Sequence, residues 1–161
     1  MEASVSWERD RIFVGMAESG YPVRMSSPSG PEAGVGPVEL TAMALAACTA
    51  MDVISILQKK QEDVSDFKVL VHAERTDVYP KVITSAELEY VVTGHNVTES
   101  SLLRAIELSV RQYCPVHAML SRAFPIALSY TILEGDRGGN ATVARKGRLE
   151  LGESGPAKET G

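Results

Sequence analysis

Two cysteines, Cys48 and Cys114, are the residues of this chain whose type and setting most directly suggest chemistry. Cys48 lies in the Ala-rich stretch ALAACTAMDV (44–53), and Cys114 lies in RQYCPVHAML (111–120). Both stretches have the composition of buried helices, and two apolar helices are expected to pack side by side. Three interpretations follow: inert packing, a metal site, or two thiols that cycle between dithiol and disulfide.

The position of each cysteine affects its expected reactivity, because the thiolate is the nucleophile. Cys114 directly precedes Pro115, where a helix is expected to begin, and backbone N–H groups near its sulfur would lower the thiol pKa. The same position equally suits a small buried residue at a helix junction. Cys48 lies mid-helix with Asp52 one turn further along, so it is typical of a core residue unless another segment supplies a cation.

Metal and hydrolytic alternatives have weaker support from spacing. Cys114 and His117 form a C-x-x-H pair and, with Cys48, offer three soft ligands, whereas a structural zinc site needs four. A Cys114–His117 nucleophile pair lacks an identified third group to orient the base. The sequence contains no G-x-S-x-G, P-loop or G-x-G-x-x-G motif. We therefore predict neither a metal nor a resident cofactor.

Composition and charge restrict the class of protein. The formal net charge of −5 and the scattered distribution of the 16 Lys and Arg residues argue against a nucleic-acid partner. The N-terminal MEASVSWERD shows no signal-peptide pattern. The longest weakly polar run, Leu40 to Met51, is shorter than a membrane span requires. These observations predict a soluble cytoplasmic protein that does not bind membranes.

The hydrophobic pattern predicts an α+β domain with the order ββ-α-ββ-α-β over residues 1–134. The expected elements are strands at 5–16 and 21–26, a loop at 26–36, a helix at 38–60, strands at 67–76 and 82–94, a helix capped by Thr98, a break at Cys114 with a short helix at 115–124, and a strand at 126–134. Residues 135–161 are predicted to form a flexible polar tail, apart from an edge strand allowed at 141–151. The first helix is apolar nearly all round, so a homodimer closing around it would bury its surface.

Two motifs, taken together, resemble a known family. GPVELTAMALAACTAMDV (36–53) and LSVRQYCPVHAML (108–120) are similar to the first- and second-cysteine segments of the OsmC/Ohr family of thiol peroxidases, and SVSWERD (4–10) is similar to its first strand. Within the family, the sequence most resembles the YhfA-like branch. The resemblance implies an intertwined homodimer in which antiparallel sheets wrap two central helices, with the active sites at the interface.

The resemblance also implies a role for each site residue. Cys48 would attack an organic hydroperoxide and become a sulfenic acid, and Cys114 would then form a disulfide with it. An external dithiol, such as a lipoyl group, would restore both thiols. Arg24, in the segment GYPVRMSS, corresponds to the arginine that activates the reactive cysteine. The implied role is defence against oxidative or osmotic stress.

One position departs from the family pattern. Peroxidase members carry a glutamate ten residues before the reactive cysteine, where this chain has Val38 and places its acid at Glu39. Nine residues of helix turn through about 900° and rise roughly 13 Å, so Glu39 is expected on the helix face opposite Cys48. Val38 favours an alternative function, in which the same dimer binds a small ligand without catalysis.

Overall fold

The computed structural model describes residues 1–26 and 34–151. Residues 27–33 of the predicted loop and residues 152–161 of the predicted tail lie outside the described residues. The described residues form two compact units, one up to Ala44 and one from Leu45 onward, and their boundary falls inside the first helix. The single domain that the sequence predicts over residues 1–134 stays a prediction.

The first unit contains a three-stranded antiparallel sheet in the order β1-β2-β3. Its strands are β1 (Ala3–Arg9), β2 (Ile12–Ala17) and β3 (Pro22–Met25). The sequence predicts a single strand at 5–16, and this prediction is wrong because a turn divides that segment. Asp10 makes the turn with φ of 47°, a left-handed conformation that aspartate adopts more readily than most residues.

Helix α1 (Pro37–Lys59) lies within one residue of its predicted bounds at either end. Pro37 begins the helix, where a missing backbone N–H has no cost. The Glu39 carboxylate accepts a 2.7 Å hydrogen bond from the backbone N–H of Gly36, which is one half of a capping box. Glu39 therefore stabilises the start of the helix, and Lys59 lies in the last turn, where the helix dipole favours a cation.

Within one chain, α1 buries a single stripe of side chains: Leu45, Ala46, Thr49, Val53 and Leu57. Met51 faces away from this stripe and is 71% exposed. By length and composition the helix would also suffice to cross a membrane, and it is the one such helix in residues 1–26 and 34–151. The run Leu40 to Met51, on which the expectation of too short an apolar segment rests, is only part of this helix. The core helices of soluble proteins meet the same criterion.

The second unit is built on a four-stranded sheet in the order β4-β5-β6-β7. The strands are β4 (Asp63–Arg75), β5 (Ile83–His95), β6 (Ile126–Glu134) and β7 (Thr142–Leu149). The sheet is mixed rather than purely antiparallel, because β5 and β6 run parallel. Their connection passes through helices, which is the kind of crossover that parallel neighbours require. The edge strand allowed at 141–151 is present as β7, so the sheet extends beyond residue 134.

The connection between β5 and β6 contains α2 (Glu99–Leu108), a π-helical segment (Ser109–Tyr113) and α3 (Pro115–Leu120). The predicted break at Cys114 is confirmed, since its ψ of 104° is extended. Thr98 precedes α2, but its side chain does not cap the helix. Its hydroxyl instead donates to the carboxylate of Glu62, whose other oxygen accepts from the Thr98 backbone N–H at 2.9 Å.

The core of the second unit is formed by one face of α1, the inward face of β5 and β6, and α2. The alternation predicted for β5 is confirmed, because Ala86, Leu88 and Tyr90 are buried. Other members of this cluster are Leu45, Val53, Leu57, Val92, Leu102, Ala105, Ile106, Val110, Leu128, Tyr130 and Ile132. The buried stripe of α1 and the π-helical segment thus belong to one hydrophobic cluster.

Candidate functional site

Helix α1 supplies the first thiol. Cys48 precedes the buried Thr49 and is itself partly exposed. Thr49 directs its hydroxyl at the helix backbone, 3.0 Å from the carbonyl of Ala46. A mid-helix position offers Cys48 no unpaired backbone N–H groups, so any group that interacts with its sulfur must come from another element.

The second thiol lies where the π-helical segment meets α3. Pro115 disfavours helical geometry at Cys114, which becomes the N-cap of α3. The Cys114 sulfur accepts a 3.3 Å hydrogen bond from the backbone N–H of His117, and the residue is only 3% exposed. Segments of π-helix often occur at functional sites, because the additional residue reorients the side chains that follow.

The two thiols lie close enough to affect each other. The Cys48 side chain, on α1, acts on the ionisation of Cys114 at the start of α3, and both cysteines are free. Burial raises the pKa of Cys114 to about 12, and the Cys48 side chain adds to the rise. The backbone N–H groups of His117 and Val116 oppose it. The predicted N–H contact at Cys114 is therefore present and lowers its pKa, but burial has the larger effect, as the alternative of a small buried residue at a helix junction implies.

Polar side chains surround the thiol pair. Ser109, in the π-helical segment, donates a 2.8 Å hydrogen bond to the carboxylate of Asp52, one turn after Cys48. Burial raises the pKa of the Tyr90 hydroxyl; Cys114, Asp52 and Cys48 add to the rise, whereas the Thr49 hydroxyl opposes it. Asp52 and both thiols thus act electrostatically on the Tyr90 hydroxyl within the second unit.

His117 is a buried histidine of the same unit. Burial lowers its pKa, and a hydrogen bond to the backbone of Val110 opposes the decrease. Its Nδ1 atom has no hydrogen-bond partner among the residues that the structure describes. Within residues 1–26 and 34–151, no three His, Cys, Asp or Glu side chains form a group that would hold a metal ion.

Arg24 belongs to the first unit, whereas both thiols belong to the second. Its Nε donates to the Glu8 carboxylate at 3.3 Å, and the two side chains are nearly half exposed. Glu8 is thus an acidic partner for Arg24 that was not predicted from the sequence. The carboxylate of Glu39, the acid nearest to the family's glutamate position, instead accepts a hydrogen bond from the backbone N–H of Gly36. The role of Arg24 at the thiols stays a prediction.

Sequence reasoning also did not identify Tyr90 and Ser109 as members of the site. The alternation of β5 placed Tyr90 on the same face as Leu88, but alternation alone does not tell which element covers that face. Ser109 gave no signal because a π-helical segment has no sequence pattern of its own. Only the tertiary packing brings these hydroxyls to the cysteines.

The fold and the site together define a class: an α+β protein in which two cysteines, one partly exposed on a long helix and one buried at the start of a short helix, lie close together. A family model described as OsmC-like protein matches residues 30–129, most of the chain. The chain belongs to the OsmC-like family. This confirms the resemblance noted in the sequence.

Individual relatives agree with this assignment. The chain is 38% identical over 133 residues to Protein YhfA of Escherichia coli, covering 83% of this chain and 98% of the relative. A hypothetical protein from Aquifex aeolicus has the same fold, with a TM-score of 0.75, 26% identity, and coverage of 84% of this chain and 97% of that one. An organic hydroperoxide resistance protein OsmC from Legionella pneumophila shares the fold at 15% identity, with a TM-score of 0.60 and coverage of 80% and 94%. The predicted α+β, OsmC-like fold is confirmed.

Proposed function

We propose that the protein is a thiol-dependent peroxidase that reduces organic hydroperoxides through Cys48 and Cys114. The observation that carries this proposal is the proximity of the two thiols, since the Cys48 side chain acts on the ionisation of Cys114 although the two residues belong to separate helices. Thiols that meet in this way can form a disulfide without a large rearrangement. Membership of a family that includes an organic hydroperoxide resistance protein supports the same function.

Burial supports the assignment of roles to the two cysteines. Reactive cysteines are partly exposed, and Cys48 is the more exposed of the pair. Cys114 is buried with a raised pKa, so it is the poorer first nucleophile. In the proposed cycle the Cys48 thiolate attacks the peroxide, an S–O bond forms, the O–O bond breaks and an alcohol leaves. Cys114 then attacks the sulfenic acid, which releases water and forms the Cys48–Cys114 disulfide.

Three further assignments belong to this proposal. An external dithiol, with lipoyl groups as one candidate, reduces the disulfide by exchange. A second copy of the chain covers the exposed apolar surface of α1 and makes the protein a homodimer, in which Arg24 activates Cys48. A cytoplasmic location suits two free thiols, because that compartment keeps cysteines reduced.

The alternative function is non-catalytic binding of a small ligand by the same dimer. Val38 favours it, since this position carries a glutamate in the peroxidase pattern, and Glu39 does not replace that acid because its carboxylate is bonded to Gly36. In that case the thiols line an apolar pocket and stay reduced.

Peptide mapping under non-reducing conditions separates the two functions. After addition of one equivalent of an organic hydroperoxide, we expect a linked Cys48–Cys114 peptide in the wild type and none in Cys48→Ser. In Cys114→Ser the disulfide cannot form, so the Cys48 sulfenic acid should persist and react with dimedone. Thiols that stay reduced under excess peroxide would contradict the peroxidase and favour the binding protein.

A further inference from the structure

Ser109, the first residue of the π-helical segment, is a polar residue in an apolar part of the core. It is fully buried, and its neighbours in the chain, Ile106 and Val110, belong to the hydrophobic cluster. A buried hydroxyl is unfavourable unless it is paired, and an alanine would fill nearly the same space. The Ser109 hydroxyl donates a 2.8 Å hydrogen bond to the carboxylate of Asp52 on α1. A polar pair in this position therefore needs a role other than filling space.

The pair connects the two segments that carry the thiols. Asp52 lies one turn after Cys48, so both side chains lie on the same side of α1. In the π-helical segment, the backbone carbonyl of Ser109 accepts a 2.8 Å hydrogen bond from the backbone N–H of Cys114. Ser109 thus holds the Cys114 backbone with its main chain and the Cys48 turn of α1 with its side chain.

A second serine provides an internal comparison. Ser129 on β6 is also buried, and its hydroxyl donates a 3.1 Å hydrogen bond to the carboxylate of Glu87 on β5. That bond joins two strands that already pair through their backbones. The bond from Ser109 to Asp52 instead joins α1 to the segment of Cys114. The two serine–carboxylate bonds therefore have the same chemistry and differ in what they connect.

We propose that Ser109 is a positioning residue, whose hydrogen bond to Asp52 holds Cys114 within reach of Cys48 so that the two thiols form their disulfide readily. This inference rests on the thiol pairing of the proposed function. A small disulfide such as oxidised glutathione serves as the oxidant in a test. Its S–S bond breaks, the Cys48–Cys114 S–S bond forms, and the two electrons and two protons of the protein thiols pass to two glutathione thiols.

A connection of this kind acts through effective concentration. Two groups that are held in one arrangement react more readily, because the freedom lost in bringing them together has already been given up. Disulfide geometry is demanding, with the two Cβ atoms about 3.8 Å apart, so a displaced Cys114 segment would reach it less often. Loss of the Ser109 hydroxyl should therefore make the disulfide less stable relative to the dithiol, without changing the attack of Cys48 on peroxide.

The test is Ser109→Ala in the full chain, with Ser129→Ala as the matched control. In buffers of reduced and oxidised glutathione, we expect the equilibrium constant of the Cys48–Cys114 disulfide to fall roughly 10-fold in Ser109→Ala and to be unchanged in Ser129→Ala. A merely structural role would lower the melting temperature of both variants and leave this constant alone. With cumene hydroperoxide, Cys48 of Ser109→Ala should be oxidised at the wild-type rate, but its sulfenic acid should persist longer and react more with dimedone.

A double variant tests the hydrogen bond itself. In an Asp52→Ala background, Ser109→Ala should have no further effect on the disulfide equilibrium, because the acceptor is already absent. An equal effect of Ser109→Ala with and without Asp52 would show that the hydroxyl acts by another route, and would overturn the proposal.

The remaining results separate the role of Ser109 from the proposed function. If Ser109→Ala keeps the wild-type equilibrium constant, the thiols pair without its help and the proposal is overturned. If both serine variants lower the constant equally, the effect is a general loss of stability and the proposal is likewise overturned. A wild type that forms the disulfide with glutathione but stays reduced with cumene hydroperoxide would contradict the peroxidase and leave the role of Ser109 intact. A wild type that forms no disulfide with glutathione would contradict both.

Discussion

Among single residues, two histidines of the second unit have pKa values displaced in opposite directions. The ring of His95 contacts the carboxylates of Asp136 at 3.1 Å and Glu134 at 3.3 Å, and these hydrogen bonds raise its pKa. His117 has no such partner, and burial lowers its pKa. Protonated His95 therefore stabilises the folded state at acidic pH, whereas His117 stabilises it in the neutral form, at higher pH.

The pH dependence follows from proton binding, because stability rises with pH wherever the unfolded state binds more protons. The stabilisation by His95 is fully present below the unfolded histidine pKa of about 6.5 and is lost as the pH rises through its raised folded value. The effect of His117 has the opposite sign, since its folded pKa lies below the unfolded one. Stability is lost as the pH falls below about 6.5 toward that folded value.

We expect His95→Gln to lose stability relative to the wild type at acidic pH, and the difference should vanish at mildly alkaline pH. His117→Gln should instead weaken the loss of stability that accompanies acidification. The measurement is the urea midpoint of each variant at a series of pH values on either side of 6.5. Midpoints of wild type and His95→Gln that differ by the same amount at every pH would contradict the ion-pair explanation.

The sequence predicted several single-residue features because local chemistry determines them. Pro37 and Lys59 marked the ends of α1, and Pro115 marked the break at Cys114. The raised pKa of Cys114 was not predictable, because it depends on burial by segments distant in sequence. The pairing of Arg24 with Glu8 was missed for the same reason, since it depends on the register of three strands.

At the scale of elements, the entry into α2 depends on a close backbone approach at the end of β5. A Cβ atom added to Gly94 would lie 2.0 Å from the backbone carbonyl oxygen of Asp63, the first residue of β4. The Gly94 carbonyl also accepts a 3.1 Å hydrogen bond from the backbone N–H of Gly135, which follows β6. Strands β4, β5 and β6 thus converge at a point where no side chain fits.

We expect Gly94→Ala to destabilise the protein by about 3 kcal/mol, the upper end of the usual cost of overpacking. The neighbouring atoms belong to the backbone and cannot rotate away as a side chain could. Gly139→Ala is the matched control, since its added Cβ would lie 3.5 Å from the nearest atom, an ordinary contact. Urea unfolding of both variants at one pH measures the difference. A Gly94→Ala midpoint equal to that of Gly139→Ala would show that the strands adjust at no cost.

Most helices and strands were predicted from the sequence, but fewer of the pairings between them. The strand at 126–134 has its predicted bounds, and the alternation in β5 correctly gave its buried face. The parallel pairing of β5 with β6 was missed, because strand direction in a sheet depends on the path of the connection and not on the pattern within the strand. The division of residues 5–16 into two strands was missed because the turn uses Asp10 instead of glycine.

For the molecule as a whole, the feature that a single chain does not explain is the exposed apolar surface of α1. Met51 is 71% exposed on a helix that is otherwise mostly apolar, and the buried stripe runs along the opposite side. A helix of this composition is normally covered by more than one neighbour. The proposed homodimer supplies the missing neighbour as a second copy of the chain.

We therefore expect Met51→Glu to shift the protein from dimer to monomer, because the interface would have to bury an unpaired carboxylate. Gln61→Glu is the matched control, since it adds the same charge at a polar, exposed position beyond the end of α1. Light scattering after size-exclusion chromatography gives the mass of each species. If the dimer is needed for activation by Arg24, the same Met51→Glu variant should also form the Cys48–Cys114 disulfide more slowly with peroxide. A wild type that is monomeric, or a Met51→Glu variant that stays dimeric, would contradict the assignment of α1 to the dimer interface.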